Sequence, residues 1–195
     1  FASKFATAIL SISKTSEKYA KKYYKNHHHF NFVGPIDSFA ADEIIKEKNL
    51  KQNEITFLAR FNSHKMDDIF YKLFDKELAN YTFKFIVGSG GIPKDIKKKI
   101  DKISKKHNIK IKIFSKISEK DKFRELAKSK CLFFFSQFEG LGIPPYEALY
   151  VGTNCISLEL EVLKEITDKI IFTNNKNLIN SIKSIKDNSL VKDDI

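Results

Sequence analysis

The sequence predicts an α/β fold in which a parallel sheet carries helices on both faces and follows a short N-terminal β-α remnant. From residue 51 onward, strand-like segments alternate regularly with helical patterns, and parallel strands need such helical crossovers. The apolar run 132–135 is bounded by turn signals, which is typical of a strand buried on both faces of a parallel sheet. With 195 residues, 42% of them hydrophobic, the chain can form one full domain and a remnant.

The N-terminal unit is too small to build a core of its own. It comprises a predicted strand at 8–13 and a predicted helix at 14–24. Residues 26–39 contain His27-His28-His29 and Gly34-Pro35 and are predicted to form a linker or an edge strand. A solvated histidine triplet is favoured over a metal site, because no Cys or carboxylate cluster supports zinc binding. We therefore place a domain boundary near residue 35.

The alternating elements beyond the boundary follow one another with short connections. The predicted strands are 55–59, 83–87, 109–114, 132–135, 154–157 and 169–172. The predicted helices are 66–79, 93–107, 119–130, 145–151, a short helix near Val162, and 177–186. Helix 93–107 places isoleucines on one face and lysines mainly elsewhere, the pattern of an amphipathic surface helix.

Composition limits the partners and the compartment. The net charge of +11 and the pI of about 9.4 indicate anionic partners such as nucleotides, phospholipid head groups or nucleic acid. Cys131 and Cys155 lack metal-site spacing, so we expect buried thiols in a reducing, cytoplasmic compartment and no metal. No apolar run is long enough to span a membrane. Because the sequence begins at Phe1 rather than Met, we expect a fragment of a longer protein.

Two loops after predicted strands are weaker candidates for phosphate binding. Arg60 and Lys65 follow strand 55–59 and could clamp a diphosphate, although a pair of ordinary surface cations is the alternative. The Gly88-Ser89-Gly90-Gly91 segment has neither the dinucleotide nor the P-loop spacing. For this second loop we favour a tight turn.

The loop after strand 132–135 carries the most distinctive residues. Gly140 and Gly142 flank Leu141, and Pro144-Pro145 open a helix, so backbone N–H groups and a helix N-terminus can face an anion. Glu139 and Glu147 lie eight residues apart around this loop. Carboxylates accept hydrogen bonds from adjacent hydroxyls, which suits a ligand with sugars on both sides of a phosphate. The alternatives are a solvated loop residue for Glu139 and a first-turn helix carboxylate for Glu147.

Residues 136–152, SQFEGLGIPPYEALYVG, resemble the E-x7-E segment of retaining glycosyltransferases of family 4, which have the GT-B fold. The segments ITFLARFNSHK, FKFIVGSGG and IKIFSKISEKDKFRELAKSK upstream, and LELEVLKEITDKIIF downstream, are also similar to that family. The resemblance spans about residues 50–186. It implies that residues 36–195 form the Rossmann-like, nucleotide-sugar-binding domain. Residues 1–35 would be the end of an acceptor-side domain and a linker.

The resemblance also implies roles for individual residues. Arg60 and Lys65 would hold the donor diphosphate, Glu147 the ribose hydroxyls, and Glu139 the transferred sugar. The sugar and β-phosphate would be held by the Gly140 loop and the backbone amides of Leu141, Gly142 and Ile143. The base would lie near Lys116 and Ile117. Three positions depart from the family pattern, since Ala59, Ser115 and Met66 stand where glycine is frequent.

The implied activity is transfer of a sugar, without a cofactor or bound metal, from a UDP-, GDP- or ADP-sugar to a glycan, lipid or protein acceptor. Glu139, Arg60 and Lys65 would be the catalytic residues. If an acceptor-side domain is missing, we expect this chain to bind donor nucleotide weakly and to transfer nothing. The alternative is a non-catalytic basic module of the same fold that holds nucleic acid or anionic membrane. For the transferase we expect no nucleic acid partner, but peripheral contact with anionic membrane is compatible with the lysine-rich surface.

Overall fold

The computed structural model describes residues 6–32, 34, 36–47, 51–59, 71, 73–88, 90–165, 167–174 and 176–185. Within this part of the chain, no helix is long and apolar enough to cross a membrane. Two sheets are present in the described residues, one of two strands and one of six.

The N-terminal unit is a small parallel β-α-β arrangement. It consists of β1 (Ala8–Ser11), α1 (Lys14–Tyr23) and β2 (His28–Asn31), and β1 pairs with β2. The Ser13 side chain starts α1 by accepting a hydrogen bond from the Ser16 N–H at 2.9 Å. The histidine triplet therefore contributes to a strand, one of the two structures that the sequence leaves open.

Helix α2 (Ser38–Lys46) is absent from the sequence-based prediction. Asp37 caps it by accepting from the Ala40 N–H, and the helix buries Ala41 and Ile44. These two buried side chains are a short apolar signal, too brief to be distinguished from a linker by periodicity.

The six-stranded sheet confirms the predicted fold class. Its strands are β3 (Gln52–Ala59), β4 (Thr82–Val87), β5 (Lys110–Ser115), β6 (Ser129–Phe134), β7 (Asn154–Leu158) and β8 (Ile171–Thr173). All neighbouring pairs are parallel, in the order β5-β4-β3-β6-β7-β8. The connecting helices are α3 (Lys94–His107), α4 (Glu119–Lys128), α5 (Ile143–Tyr150) and α6 (Glu161–Lys164), and α7 (Leu178–Ser184) follows β8.

Two buried clusters lie on opposite faces of the sheet. One face carries stacked aromatic rings, with Phe57 and Phe85 centroids 5.0 Å apart and Phe74 and Phe83 centroids 4.9 Å apart. The other face packs Leu132 and its neighbours against α2, α4, α5 and α6. Helices on both faces explain why β6 is buried along its whole length.

Residues 66–70 and 72 of the predicted helix 66–79 lie outside the described residues, and the described residues 73–79 do not continue it as an α-helix. At its end the chain turns through Leu73 and Phe74 and forms a 3₁₀ helix at Lys76–Leu78. In α3, Ile100 is buried and Ile96 and Ile103 pack against the aromatic core, as the amphipathic pattern predicts. Cys131 and Cys155 are both buried free thiols.

The strand order contains one reversal, which positions the candidate site. The chain proceeds from β3 through β4 to β5 at one edge, and then returns to place β6 on the other side of β3. In open parallel sheets, ligands bind beyond the carboxyl ends of the strands at such a reversal. Here that place lies beyond the ends of β3 and β6.

Candidate functional site

The loop between β6 and α5 has a conformation that requires glycine at one position. Gly142 adopts φ +86°, in the left-handed region. A Cβ atom on Gly142 would lie 2.6 Å from Cδ2 of Leu163, which is fully buried. Leu141 is buried as well, so the Leu141 side chain and the contact with Leu163 of α6 hold this loop in place. Packing against α6 therefore determines the position of the Gly142 backbone.

The start of α5 has the properties of an anion-binding helix terminus. Gly142 is the N-cap and makes no side-chain cap hydrogen bond, and Pro144 and Pro145 in the first turn have no N–H. Of the three residues that open the helix, Ile143 alone carries an N–H group. An anion beyond the loop would face this donor and the positive end of the helix dipole.

Glu147 lies on the buried side of α5 and is only 7% exposed. Its Oε1 accepts a hydrogen bond from Lys122 Nζ at 2.8 Å. Burial raises the pKa of Glu147, and the hydrogen bond and charge of Lys122 oppose that rise. The structure thus places Glu147 as a partly desolvated carboxylate with one oxygen in an ion pair.

Lys122 is a residue that sequence reasoning missed. It lies on α4, and its ammonium also pairs with Glu119 and stands 4.7 Å from the centroid of the Phe123 ring. Burial acts to lower the pKa of Lys122, but its hydrogen bonds with Glu119 and Glu147 outweigh this and raise the pKa. In sequence it is one of many lysines, and only the packing of α4 against α5 distinguishes it.

Glu139 lies in the same loop and is half-buried. The next residue, Gly140, accepts a hydrogen bond through its carbonyl oxygen from Ser16 Oγ at 3.0 Å. A Cβ on Gly140 would stand 3.0 Å from Cδ1 of Ile12. The N-terminal unit therefore contacts the glycine loop directly, which sequence reasoning did not predict.

Lys116 and Ile117 lie beyond the end of β5. Lys116 is exposed and adopts φ +55°, an uncommon conformation for a residue with a side chain. Two strands, β4 and β3, separate β5 from β6 in the sheet. Helix α4 begins just after Ile117 and leads back toward α5, so it connects this position to Glu147 through Lys122.

The predicted phosphate residues Arg60 and Lys65 lie outside the described residues. The strand that precedes them, β3, pairs with β6 on one side and with β4 on the other. The site-residue assignments therefore remain predictions.

The glycine-rich segment after β4 forms the favoured tight turn. Gly91 N–H donates to the Gly88 carbonyl oxygen at 2.9 Å, and Gly91 adopts φ +63°. In the described part of the chain, no group of three or more His, Cys, Asp or Glu side chains is arranged to hold a metal ion. Whether the protein works without a metal stays a prediction.

The fold and the glycine loop define a Rossmann-like domain of the kind found in GT-B glycosyltransferases. A family model described as glycosyl transferases group 1 matches residues 38–192. The chain therefore belongs to this family. A comparison with curated proteins found no match.

Solved structures with the same fold are distant in sequence. A mutant of S. aureus TarM, crystallised with fondaparinux, α-GlcNAc-glycerol and UDP, is 15% identical with a TM-score of 0.73, covering 96% of this chain and 38% of that chain. Anabaena HepE with UDP and glucose is 14% identical with a TM-score of 0.65, covering 94% and 54%. The catalytic domain of Arabidopsis thaliana starch synthase IV, bound to ADP and acarbose, is 13% identical with a TM-score of 0.61, covering 94% and 50%. This chain thus spans about a third to a half of the lengths of these three.

Proposed function

We propose that this chain is the donor-binding half of a retaining hexosyltransferase of family 4. In this proposal it binds a nucleotide sugar, and the complete enzyme transfers the sugar to a glycan, lipid or protein acceptor. Membership of the glycosyl transferases group 1 family supports the general activity. UDP in the TarM and HepE complexes and ADP in the starch synthase complex support a nucleoside diphosphate as the common ligand.

The observation that carries the proposal is Glu147. This carboxylate is 7% exposed and lies on the helix that starts at the glycine loop, where burial is costly, and its pairing with Lys122 engages Oε1. Its oxygens suit the ribose hydroxyls of a donor whose phosphates lie against Gly142 and the start of α5. A polyanion-binding surface would gain nothing from a carboxylate beside its phosphate site.

The remaining roles follow from the resemblance. Arg60 and Lys65 hold the diphosphate and stabilise the charge that develops on it as the bond to the sugar breaks. Glu139 contacts the transferred sugar, and Lys116 and Ile117 border the base. The acceptor oxygen attacks on the face that the diphosphate leaves, and the acceptor proton passes to the leaving phosphate. Arg60 and Lys65 thus stabilise the leaving diphosphate, as a metal ion does in other transferases.

The proposed location is the cytoplasm, with peripheral contact with anionic membrane. Helix α3 supports contact with anionic membrane, because its seven lysines are exposed: Lys94, Lys97, Lys98, Lys99, Lys102, Lys105 and Lys106. Each lysine near an anionic bilayer adds about 1 kcal/mol of attraction.

Nucleotide binding tests the proposal. Thermal unfolding with UDP, GDP or ADP is expected to show stabilisation by one of them, of about 2.7 kcal/mol at about 100 times its Kd. Glu147→Gln is expected to weaken binding of that nucleotide at least about tenfold, because the ribose hydroxyls then meet a neutral amide and not a charged acceptor. Glu77→Gln, which changes an exposed carboxylate paired with Lys183, serves as the control and should leave binding unchanged.

A different outcome would favour the basic-module alternative. Equal stabilisation by any polyanion, lost at high salt and insensitive to Glu147→Gln, would contradict nucleotide-sugar binding. For each variant, the rise in melting temperature on adding nucleotide is compared, and not the melting temperature itself. This separates weakened binding from a change in the stability of the ligand-free protein.

A further inference from the structure

The contact between Lys122 and Glu147 joins two helices at the candidate donor site. Lys122 Nζ lies 2.8 Å from Glu147 Oε1, and the two side chains are only 12% and 9% exposed. The residues are 25 positions apart, so the pair reflects the packing of α4 against α5 and not helix periodicity. A solvent-screened surface pair would contribute little to stability, but a largely buried, hydrogen-bonded pair holds both groups in a fixed geometry.

Neighbouring cations on α4 have a different orientation. Lys120 pairs with Glu43 at 2.6 Å and Arg124 pairs with Glu47 at 3.0 Å, both with carboxylates of the α2 region. Both side chains are more exposed than that of Lys122. Lys122 is the cation of α4 that reaches the helix of the glycine loop.

The charges around Glu147 make Lys122 important for its ionisation. Burial raises the pKa of Glu147, and the carboxylates of Glu119 and of Asp37 at the start of α2 act in the same direction. The hydrogen bond and charge of Lys122 act in the opposite direction. Without Lys122, a buried carboxylate would remain among two acidic neighbours and would hold its proton to a higher pH.

We propose that Lys122 is a positioning residue for donor binding: it holds Glu147 ionised through Oε1 and leaves Oε2 to accept the ribose hydroxyls. This inference rests on the proposed function. A hydroxyl donates most strongly to a carboxylate oxygen with a negative charge, and a protonated Glu147 would present a donor in that place. Lys122 would thus act on the ligand through Glu147.

The dependence of nucleotide affinity on pH distinguishes a role of Lys122 in keeping Glu147 ionised from a role in folding alone. In the wild type, Lys122 limits the rise in the pKa of Glu147, so the carboxylate stays available as the pH falls. In Lys122→Met the pKa of Glu147 rises further, and affinity is lost at a higher pH than in the wild type. A role in folding alone would change affinity without moving this profile.

The test measures calorimetric Kd values for the nucleoside diphosphate that the wild type binds best, and for its 2′,3′-dideoxy analogue, from about pH 5 to about pH 8.5. Lys122→Met should weaken the ribonucleotide at least about tenfold at the acid end and less at the alkaline end. Binding of the dideoxy analogue, which lacks both hydroxyls, should change little. Lys122→Arg should restore most of the affinity, and Lys120→Met, on the same helix, should match the wild type.

A double variant keeps the result interpretable. Lys122→Met combined with Glu147→Gln removes both charges, so it tests the pair even if Lys122→Met alone folds poorly. Its affinity should equal that of Glu147→Gln alone, because Lys122 acts through Glu147.

The outcomes separate the two proposals. If the wild type prefers the ribonucleotide and Lys122→Met shows the same preference and pH profile, the inference is wrong and the proposed function stands. Equal weakening of the ribonucleotide and the dideoxy analogue would also overturn the inference, since it indicates a general structural role. If the wild type binds no nucleoside diphosphate, the proposed function fails and the inference fails with it.

Discussion

At the scale of single residues, Gly142 determines the shape of the loop between β6 and α5. Gly142→Ala is expected to destabilise the protein by about 1–3 kcal/mol, because alanine is strained at φ +86° and its Cβ would displace buried Leu163. Denaturant unfolding measures this loss. Gly88→Ala is the matched control, since a Cβ there meets no atom within 4 Å. Equal stability of the two variants would contradict the packing argument.

The residues of this loop were accessible to sequence reasoning because their chemistry is local. Two glycines, paired prolines and Glu147 follow a buried strand within a few positions, and their spacing already indicates an anion site on a helix. Lys122 and Ser16 could not be found in this way. Each meets the site through a contact between elements far apart in sequence, and such a contact leaves no periodic signal.

At the scale of elements, α1 is attached to the C-terminal domain by Glu165, which follows α6. The Glu165 carboxylate accepts from the N–H of Lys14 at 2.8 Å and from the N–H of Thr15 at 2.6 Å. It therefore satisfies donors in the first turn of α1 and faces the positive end of that helix. An ion pair between Lys18 and Glu161 at 2.7 Å also joins α1 to α6.

Glu165→Ala is expected to loosen α1 while leaving the six-stranded sheet intact. Loss of a cap costs about 1 kcal/mol, so amide hydrogen exchange in α1 should become faster by about fivefold. Glu159→Ala is the control, because Glu159 is an exposed carboxylate paired with Lys164. Unchanged protection of α1 in Glu165→Ala would show that other contacts hold the helix.

The same scale shows where sequence prediction of elements works and where it does not. The alternation of strands and helices from β4 to α7 was predictable because most strands have an apolar run and most helices have an apolar stripe. Helix α2 was not, because its stability depends on contacts with α4 and α5, including Tyr150 Oη to Asp42 at 2.8 Å. Short helices owe more to such packing than to intrinsic propensity.

At the scale of the whole molecule, the sheet contains a buried charge network under α4. Lys84 on β4 is completely buried, and its Nζ lies 2.5 Å from Glu54 Oε2 and 2.9 Å from Glu125 Oε2. The Glu125 carbonyl oxygen accepts from the same ammonium at 2.8 Å. Removing the cation would leave two carboxylates in a low-dielectric interior.

Lys84→Met is expected to destabilise the protein by about 3–5 kcal/mol near neutral pH. Lys112→Met is the control, because Lys112 pairs with the same Glu54 at 2.7 Å but is half exposed, and it should cost about 1 kcal/mol or less. Similar losses in both variants, measured by denaturant unfolding, would contradict a special role for the buried cation.

The difference between wild type and Lys84→Met should also depend on pH. Burial acts to raise the pKa of Glu125, but the hydrogen bonds and charges of Lys84 and Lys128 together outweigh it and lower the pKa below the ordinary value of 4.5. The stability that Glu125 contributes is therefore present above about pH 4.5 and is lost as the pH falls through the lowered pKa. Unfolding curves of the two proteins should converge in acid.

The hydrogen bond from Ser16 to the Gly140 carbonyl oxygen has a consequence for cooperativity. It places the start of α1 against the loop that would hold the donor. Docking of the N-terminal unit and binding of the donor therefore involve the same loop. Coupling between two such events is reciprocal. If a bound nucleotide strengthens the docking of the N-terminal unit, docking of that unit strengthens nucleotide binding by the same free energy.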